Sequence, residues 1–367
     1  MTAWLLCGLF AWEAPGLTGS PRLMARTLAH LHPDTPIFYL DPLHLTAVSQ
    51  ALLYRAHKRG PLWRVVRADG PWGAAGHPAS AADWRHLSQA HPLAWYSTSY
   101  HLGERSWMQP HAPEVWVYSV LENAVALMGP ERQVHERALA RADVVVSNSP
   151  PVTQSLAGLV NPAKLLEWGM AVHPDFWDRT AIPPCWTFGF FGHLMPWIDF
   201  DALEELAAQH PRESIALVGP LHKDSASLVT ALCQRRPSIH WLGPRPYEDL
   251  PDFAAACEVM LLPRRRSRVS DASDPVKLYE YLAAAKPVAT NVPVSAALGR
   301  FVYSGATPIQ FAAAAAAALA DARSHLGRHR DPALPALLAD RSWTARAGAI
   351  WDRTAGPWIL DPAAERS

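Results

Sequence analysis

Lys277 and Glu280 lie three residues apart in a stretch that otherwise has the apolar pattern of a packed helix. Leu278, Leu282 and Ala285 follow the i, i+4, i+7 spacing of a buried face, whereas side chains three apart share another face. A carboxylate can accept two hydrogen bonds from a vicinal diol, and an ammonium near a helix N-terminus suits phosphate oxygens. The spacing alone is also that of a solvated surface ion pair, which contributes little to stability and is the simpler interpretation.

The helix that carries this pair has sequence signals at both ends. Asp274 is a favourable N-cap, and Pro275 suits the first helical position. Lys286 and Pro287 end the pattern, so the sequence predicts a helix that begins at Asp274 and runs to the neighbourhood of Ala285.

The composition restricts the class of protein. The chain has 367 residues, 49% of them hydrophobic, which is more than one core usually holds and predicts two domains of roughly 150 to 180 residues. Lys plus Arg and Asp plus Glu are both 33, so no overall charge favours nucleic acid or an anionic membrane. The four cysteines lack a CxxC spacing, which indicates neither a zinc site nor a disulfide framework and fits a reducing compartment. They are Cys7, Cys185, Cys233 and Cys257.

The first residues, MTAWLLCGLFAWEAPG, predict a buried strand and not a signal peptide. They lack a basic start, and Glu13 follows soon after the apolar run. No run approaches the ~18 to 20 apolar residues needed to cross a bilayer. A cytoplasmic protein is expected, either soluble or peripheral at the inner face of a membrane.

Strand-like and helical segments alternate along the chain, which is the pattern of doubly wound α/β domains. The segment DRTAIPPC has prolines and no apolar periodicity, so it is the best candidate for a linker. The sequence predicts a Rossmann-like domain over 1–178, a linker over 179–185, a second Rossmann-like domain over 186–341 and a C-terminal helical segment over 342–367 that returns toward the first domain. The predicted strands are AWLLCGLFAW, PIFYLDP, LAWYSTSY, VWVYSVL, DVVVSNS, WTFGFFGH, SIALVGP, IHWLGP and VMLLP. The other predicted helices are 21–31, 132–141, 201–209, 225–235, 247–256 and the alanine-rich 310–322.

Several motifs of the second half have the order and spacing of a known enzyme class. GFFGHLMPWIDFDALEELAAQHP, SIALVGP, IHWLGPRPYEDLPDFAAACEVMLLPRRR and DPVKLYEYLAAAKPV occur in turn within roughly Phe188 to Pro293. This part of the chain resembles the nucleotide-binding half of retaining glycosyltransferases of the GT-B fold, the family-four type. A weaker likeness in TGSPRLMARTLA, in ARADVVVSNSP with LLEWGMAVHPDFW, and in SWTARAGAIW extends the resemblance over most of the chain.

The resemblance implies a fold and an activity. The fold is α/β, with two Rossmann-like doubly wound domains that face each other across a cleft. The activity is transfer of a sugar from a nucleoside diphosphate, UDP or GDP, to an acceptor hydroxyl with retention, in polysaccharide or glycoconjugate biosynthesis. No cofactor and no metal are expected, because basic side chains and a helix terminus neutralise the diphosphate. Two alternatives stay open, namely a nucleotide-sugar epimerase on the same fold and a non-catalytic nucleotide-sugar-binding relative.

The resemblance also assigns donor contacts. Glu280 holds the ribose hydroxyls, and Lys277, with Leu278 beside it, lies at the diphosphate. Gly192 lets the backbone approach a phosphate and His193 faces the cleft, unless this segment is only a strand-to-loop turn. Arginines at a strand end and residues near the base complete the set, although some of these arginines are solvated or part of a structural turn. They are Arg245, Tyr247, Arg264, Arg265 and Arg268.

The acceptor half is assigned by resemblance alone. Glu122 stands where relatives have an acidic or histidine residue, and it completes the expected catalytic set with Lys277 and His193. The other acceptor-side candidates are loop residues for which ordinary surface polarity is an equal explanation. They are Glu13, Gly19, Arg22, His101 and Arg105.

Two positions depart from the family pattern. A second glutamate that is common in relatives is replaced by Ala272, and Asp271 and Asp274 lie close to it but displaced. Ala285 occupies a helix end at which relatives have glycine, and a positive φ there would cost alanine roughly 1 kcal/mol.

Two metal-like spacings have simpler explanations. Asp199 and Asp201 form a D-x-D arrangement, which binds metal in other transferases, but Asp201 with Glu204 fits a capping box of the next helix. His325 and His329 are four apart without an HExxH motif, which favours a solvated helix face.

Overall fold

The computed structural model describes residues 3–7, 20–35, 37–42, 63–67, 78–79, 93–98, 114–177, 182–324 and 330–355. Contacts within this part of the chain separate two compact units. The first unit holds the described residues up to Gly169 and from Trp343 onward, and the second runs from Met170 to Ser342.

The boundary between the units lies ahead of the linker expected at 179–185. Phe176 is buried, and its ring lies 5.8 Å from that of Phe191. The Val172 N–H donates to the Arg341 carbonyl at 2.6 Å. These contacts assign residues 170–177 to the second unit, while residues 179–181 of the expected linker lie outside the described residues.

The described part of the first unit contains an eight-stranded sheet. Its strands are β1 (Ala3–Cys7), β2 (Ile37–Pro42), β3 (Trp63–Arg67), β4 (Pro78–Ala79), β5 (Leu93–Ser97), β6 (Val115–Val120), β7 (Val144–Ser147) and β8 (Leu165–Glu167). The order is β4-β3-β2-β1-β5-β6-β7-β8, in which β3 and β4 form an antiparallel edge on a parallel sheet. The expected strands β1, β2, β5, β6 and β7 are confirmed, whereas β3, β4 and β8 were not predicted because they are short or polar.

Helices of the first unit pack against this sheet. They include α1 (Ser20–Leu31), α2 (Gly129–Arg141) and α3 (Pro150–Ser155). Large buried side chains from β1, β5 and β6, among them Leu5, Trp95 and Tyr118, form one core with Leu139 of α2 and Val152 of α3. Burial of this apolar face is what holds the helices on the sheet.

The sheet of the second unit is parallel throughout its six described strands. They are β9 (Trp186–Phe191), β10 (Ile215–Val218), β11 (Ile239–Trp241), β12 (Cys257–Leu262), β13 (Val288–Thr290) and β14 (Val302–Ser304). The order β11-β10-β9-β12-β13-β14 reverses between β9 and β12. Ligands of open parallel sheets bind at the carboxyl ends of the strands that flank such a reversal.

Eight helices surround this sheet in the described part of the second unit. They are α4 (Phe200–Gln209), α5 (Ala226–Arg235), α6 (Leu250–Ala255), α7 (Arg268–Ala272), α8 (Val276–Ala283), α9 (Ala296–Gly299), α10 (Pro308–Ala322) and α11 (Ala333–Ala339). The alanine-rich segment is helical as predicted, and Thr307 and Gln310 form a capping box at the start of α10.

The cap of α4 differs from the prediction. Asp199 accepts the Ala202 N–H at 3.1 Å and is the N-cap. The expected capping box of Asp201 and Glu204 is therefore wrong. Glu204 instead binds Arg235 at 2.7 Å, because the helix starts one residue earlier than its acidic pattern indicated.

The C-terminal helix α12 (Trp343–Ala355) belongs to the first unit. Its Trp351 ring stacks on His32 at 3.5 Å and lies 6.1 Å from Trp4, while Trp343 is buried. The helix thereby packs on α1. None of the described helices is long and apolar enough to cross a membrane.

Candidate functional site

The loop after β9 approaches its neighbours so closely that no Cβ fits. Gly192 has a φ of 137° and Gly219, which follows β10, has a φ of 140°, so both adopt conformations that favour glycine. A Cβ on Gly219 would strike the Gly192 carbonyl, and a Cβ on Gly192 would lie 2.8 Å from Lys277 Nζ. The Lys277 side chain therefore lies across Gly192, at the carboxyl end of the central strand β9.

Helix α8 is enclosed on almost every side, which decides the character of Glu280. The helix packs against β12, β13, α11 and the turn 174–176. Glu280 is only 1% exposed, and Tyr281 beside it is fully buried. The simpler interpretation of the Lys277 and Glu280 spacing, a solvated ion pair, is therefore wrong. A carboxylate at this depth needs a specific partner.

That partner is Tyr247. Its hydroxyl donates to Glu280 Oε1 at 2.7 Å, and its ring is buried with an edge toward His173 at 5.5 Å. Burial raises the pKa of Glu280 to about 6, while the Tyr247 hydrogen bond and the charge of Lys277 oppose the rise. At neutral pH the group is an ionised, oriented acceptor with one oxygen engaged by protein.

Two imidazoles lie beside the glycine loop. The rings of His193 and His222 are 6.1 Å apart. Backbone bonds join their loops, since the Leu194 N–H donates to the Pro220 carbonyl at 2.9 Å and the His222 N–H to the Leu194 carbonyl at 3.2 Å. Burial, followed by the charges of His222 and Lys277, lowers the pKa of His193. His193 is therefore a neutral donor or acceptor of hydrogen bonds at physiological pH.

The basic loop after β12 is anchored to the domain core through its first arginine. The Arg264 N–H donates to Asn291 Oδ1 at 2.6 Å, and its guanidinium donates to Ser273 Oγ at 2.6 Å. Asn291 is 2% exposed and donates in turn to Asp199 Oδ2 at 2.8 Å. Asp199 thus braces the loop as well as capping α4.

The later arginines are on the surface. Arg265 lies 3.6 Å from Asp201 with both side chains exposed, and Arg266 binds Asp271 through two hydrogen bonds of 2.6 and 3.0 Å. Arg268, the first residue of α7, is exposed, as is Arg245. Of the five predicted basic and aromatic donor contacts, the structure brings Tyr247 to Glu280 and anchors Arg264.

Asp274 has a role other than the predicted cap. Helix α8 begins at Val276, and no side chain caps it. Asp274 instead accepts the Met170 N–H at 3.0 Å, the Tyr279 hydroxyl at 2.5 Å and Arg341 Nη1 at 3.4 Å. It therefore ties the approach to α8 to two other segments of the second unit.

Ala285 has the positive φ that its position indicated. Its φ is 52°, and no other described non-glycine residue has a positive φ. Helix α8 thus ends in a turn that glycine adopts more easily.

We expect Ala285→Gly to raise the free energy of unfolding by about 0.5–1 kcal/mol, because relief of left-handed strain exceeds the added chain entropy. Denaturant titration measures this. Ala283→Gly, in helical geometry in the same turn, should have the opposite sign. A destabilised Ala285→Gly protein would mean that the φ of this residue carries no strain.

The first unit contributes a separate acidic group. Glu122 follows β6, and its Oε2 accepts a hydrogen bond from Asn148 Nδ2 at 3.2 Å. Asn148 follows β7 and is 1% exposed. Arg22 is buried in α1 and not a solvated loop residue. The other acceptor-side candidates lie outside the described residues; they are Glu13, Gly19, His101 and Arg105.

Comparison with known proteins finds a family similarity within the second unit. Residues 187–328 match the family model described as glycosyl transferases group 1. This part of the second unit is therefore similar to that glycosyltransferase family. A putative teichuronic acid biosynthesis glycosyltransferase, TuaH of Bacillus subtilis, is 34% identical over 131 residues, which are 34% of this chain and 33% of that protein. The match therefore spans about a third of the length of this curated relative.

Solved structures of the same fold align with most of the chain. A sucrose-phosphate synthase from Thermosynechococcus elongatus superposes with a TM-score of 0.72 at 14% identity, covering 98% of this chain and 100% of that one. HepE of Anabaena, in complex with UDP and glucose, gives 0.64 at 15% identity, covering 97% and 99%. WaaG, a glycosyltransferase of lipopolysaccharide biosynthesis, gives 0.60 at 13%, covering 96% and 100%. The predicted GT-B fold is confirmed.

Several supporting side chains were not among the predicted site residues. His222, Asn291 and Asp199 support the glycine loop and the basic loop, and Asn148 supports Glu122 in the first unit. Asn148 and Asn291 directly follow a strand. That position was the available signal, because ligands of such sheets bind at the carboxyl ends of strands.

The D-x-D aspartates of the second unit are engaged by other protein groups. Asp199 caps α4 and binds Asn291, and Asp201 faces Arg265. No group of three or more His, Cys, Asp or Glu side chains that could hold a metal ion occurs within the described ranges. His325 and His329 lie outside those ranges.

Proposed function

We propose that the chain transfers a sugar from a nucleoside-diphosphate sugar to an acceptor hydroxyl, with retention of anomeric configuration, in polysaccharide or glycoconjugate biosynthesis. The donor is UDP- or GDP-linked. The proposal includes a cytoplasmic location, free or peripheral at the inner face of the membrane. It is supported by the match of residues 187–328 to the glycosyl transferases group 1 family and by the UDP and glucose in the HepE complex.

The observation that carries the proposal is that one helix places Lys277 against Gly192 and Glu280 in a buried position. Glu280 is a buried carboxylate with one oxygen held by Tyr247, so its remaining acceptor capacity suits a ribose diol. Lys277 crosses Gly192 at the end of β9, where backbone and ammonium can meet a diphosphate. A nucleoside diphosphate carries its ribose diol next to its diphosphate, so one ligand can contact Glu280 and Lys277 together.

In the proposed reaction the bond between the sugar anomeric carbon and the diphosphate oxygen breaks as a bond to the acceptor oxygen forms. The acceptor proton passes to the departing phosphate oxygen. Lys277 and Arg264 stabilise the charge that develops on the diphosphate, and His193 hydrogen-bonds the transferring sugar. Stabilisation of this kind is worth about 10² to 10³ in rate for one donor.

A ligand panel tests the proposal. Thermal shift with UDP, GDP, ADP and their sugars should single out one nucleotide, and the matching nucleotide sugar should then be consumed by the purified protein. A changed sugar nucleotide formed without acceptor would favour an epimerase. Binding without any turnover would favour a non-catalytic relative.

The proposal assigns charge neutralisation to side chains, so activity should survive a chelator. We expect EDTA to leave turnover within about twofold. Asp199→Ala should lower the free energy of unfolding by about 1–3 kcal/mol, because a helix cap and a buried amide both lose their partner. Its effect on turnover should be smaller than that of Lys277→Ala. An absolute requirement for added divalent metal would overturn this assignment.

A further inference from the structure

The pair formed by Asn148 and Glu122 is built from two strand ends of the first unit. Glu122 begins a 3-10 helix (Glu122–Ala126) after β6, and Asn148 follows the neighbouring parallel strand β7. Asn148 Nδ2 donates to Glu122 Oε2 at 3.2 Å. Because the Glu122 oxygen accepts this hydrogen bond, the amide nitrogen of Asn148, and not its oxygen, is the atom that faces Glu122.

Both partners stand on rigid supports. The Ser147 hydroxyl donates to the Ser149 carbonyl at 3.0 Å, and the Thr153 hydroxyl donates to Ser147 Oγ at 2.8 Å. These bonds fix the turn on either side of Asn148. Ala124 and Val125 pack the 3-10 helix against the core of the first unit. The direction of the Glu122 carboxylate is therefore set by the fold.

The Asn148 amide is costly as a purely structural group. It is 1% exposed, and its Oδ1 has no hydrogen-bond partner among the described residues. A half-satisfied buried amide destabilises a protein relative to an apolar side chain of the same size. Groups kept at the expense of stability are typical of functional sites. Within the described ranges, its amide makes one hydrogen bond, to Glu122, which is only partly buried.

We infer that Asn148 is a positioning residue for the acceptor side of the reaction. It holds one oxygen of Glu122, so that the other oxygen accepts the hydrogen bond of the hydroxyl that receives the sugar. Alignment of reacting groups in this way accelerates transfer without contact between Asn148 and substrate. The inference rests on the proposed function, because it assigns Glu122 to the acceptor hydroxyl.

The test is Asn148→Leu, which keeps the side-chain size and removes the amide. We expect an unchanged or higher melting temperature and a fall of about 10- to 100-fold in kcat/KM for transfer to methyl glucoside and methyl galactoside, used as acceptor probes. Nucleotide affinity should not change, because the donor groups lie in the second unit. Asn148→Leu combined with Glu122→Gln should lose little more than either change alone.

Asn161→Leu is the matched control, because Asn161 belongs to the same unit and its side chain caps the turn 162–164 at the surface. It should leave transfer unchanged. Transfer by Asn148→Leu at the wild-type rate, a loss that follows its melting temperature, or additive losses with Glu122→Gln would overturn the inference while leaving the proposed function intact.

A second measurement does not depend on turnover. In protein labelled at asparagine, the Asn148 side-chain amide resonance should move in Glu122→Gln and stay in place in Glu131→Gln, an exposed change in α2. An unmoved signal would overturn the pairing itself. Failure of the wild-type protein to use any nucleotide sugar would count against the proposed function and not against this pairing.

Discussion

Glu280→Gln is expected to weaken binding of the nucleotide sugar by about 10- to 100-fold, which corresponds to loss of a charge-assisted hydrogen bond. The glutamine amide keeps the shape of the carboxylate but has one acceptor oxygen. The Tyr247 hydroxyl and the ribose hydroxyls would compete for that oxygen. Because Glu280 is 1% exposed and its pKa is raised to about 6, its charge costs stability at neutral pH. The variant should therefore be as stable as wild type or more so. Calorimetry and denaturant titration measure the two effects separately.

The pH dependence gives a sharper form of the same prediction. Between about pH 4.5 and 6, Glu280 is protonated in the folded state and ionised in the unfolded state. The free energy of unfolding therefore falls by about 2 kcal/mol as pH rises through this window. Affinity should change in the opposite direction, because the carboxylate that accepts the ribose hydroxyls forms as pH rises through about 6. Glu280→Gln should abolish both slopes.

The pH dependence that comes from Glu280 must be distinguished from any that comes from groups near it. Tyr247 donates to Glu280 and has His173 packed on its ring. Tyr281 lies beside Glu280 with its pKa raised by burial, and the charge of Lys277 acts on Glu280. His193 gains a proton at low pH and would strengthen phosphate binding there, with the opposite sign. A nucleotide sugar is the better ligand, because it lacks the secondary phosphate ionisation of the free nucleotide.

Controls decide whether the effect belongs to the site. Glu248→Gln, an exposed change beside Tyr247, should alter neither affinity nor its pH slope. Lys277→Ala should weaken binding as strongly as Glu280→Gln but leave the slope near pH 6 in place. Wild-type affinity in both Lys277→Ala and Glu280→Gln would remove the pair from the donor site.

The sequence was most informative where periodicity and motif coincide. Helix α8 and strands β9, β10 and β12 are apolar runs bounded by clear end signals, so their existence could be predicted. The spacing of Lys277 and Glu280 correctly placed two polar groups on one helix. It could not show that Glu280 is buried, because burial depends on α11 and the turn 174–176, which are distant in sequence.

Residues whose role depends on one tertiary contact were not predictable from pattern. Asn148 and Asn291 are single amides after strands, and nothing in their neighbours identifies Glu122 or Arg264 as partners. Asp274 looks like a helix cap in sequence, yet it bonds to Met170 and Arg341, far away along the chain. Local propensity was overridden in each case by contacts that only the folded unit supplies.

Removal of the chain after Ser342 should abolish transfer while nucleotide binding persists. The deletion takes away α12, whose Trp343, Arg346 and Ile350 are buried in the first unit. It also removes the Arg346 hydrogen bond to the Gly169 carbonyl at 3.1 Å and the Trp351 contacts with His32 and Trp4. The free energy of unfolding lost with this packing exceeds the stability that a domain usually has.

The second unit should survive the deletion. Ser342 remains, and its bridge to Val172 closes the unit. Tyr247, Lys277 and Glu280 all lie inside residues 170–342, so calorimetry with the nucleotide sugar should give an affinity within about threefold of wild type. Transfer should fall by more than about 10³-fold, since Glu122 belongs to the unit that loses α12.

A milder variant separates loss of packing from loss of chain. Trp351→Ala removes the stack on His32 and should reduce transfer and thermal stability together by an intermediate amount, at unchanged nucleotide affinity. Arg353→Ala, a change at the end of the same helix that leaves the stack intact, should affect transfer less. If the truncated protein keeps the folded signal of its second unit and yet loses nucleotide binding as completely as transfer, then donor recognition extends into the first unit, and the division of donor and acceptor roles between the two units is wrong.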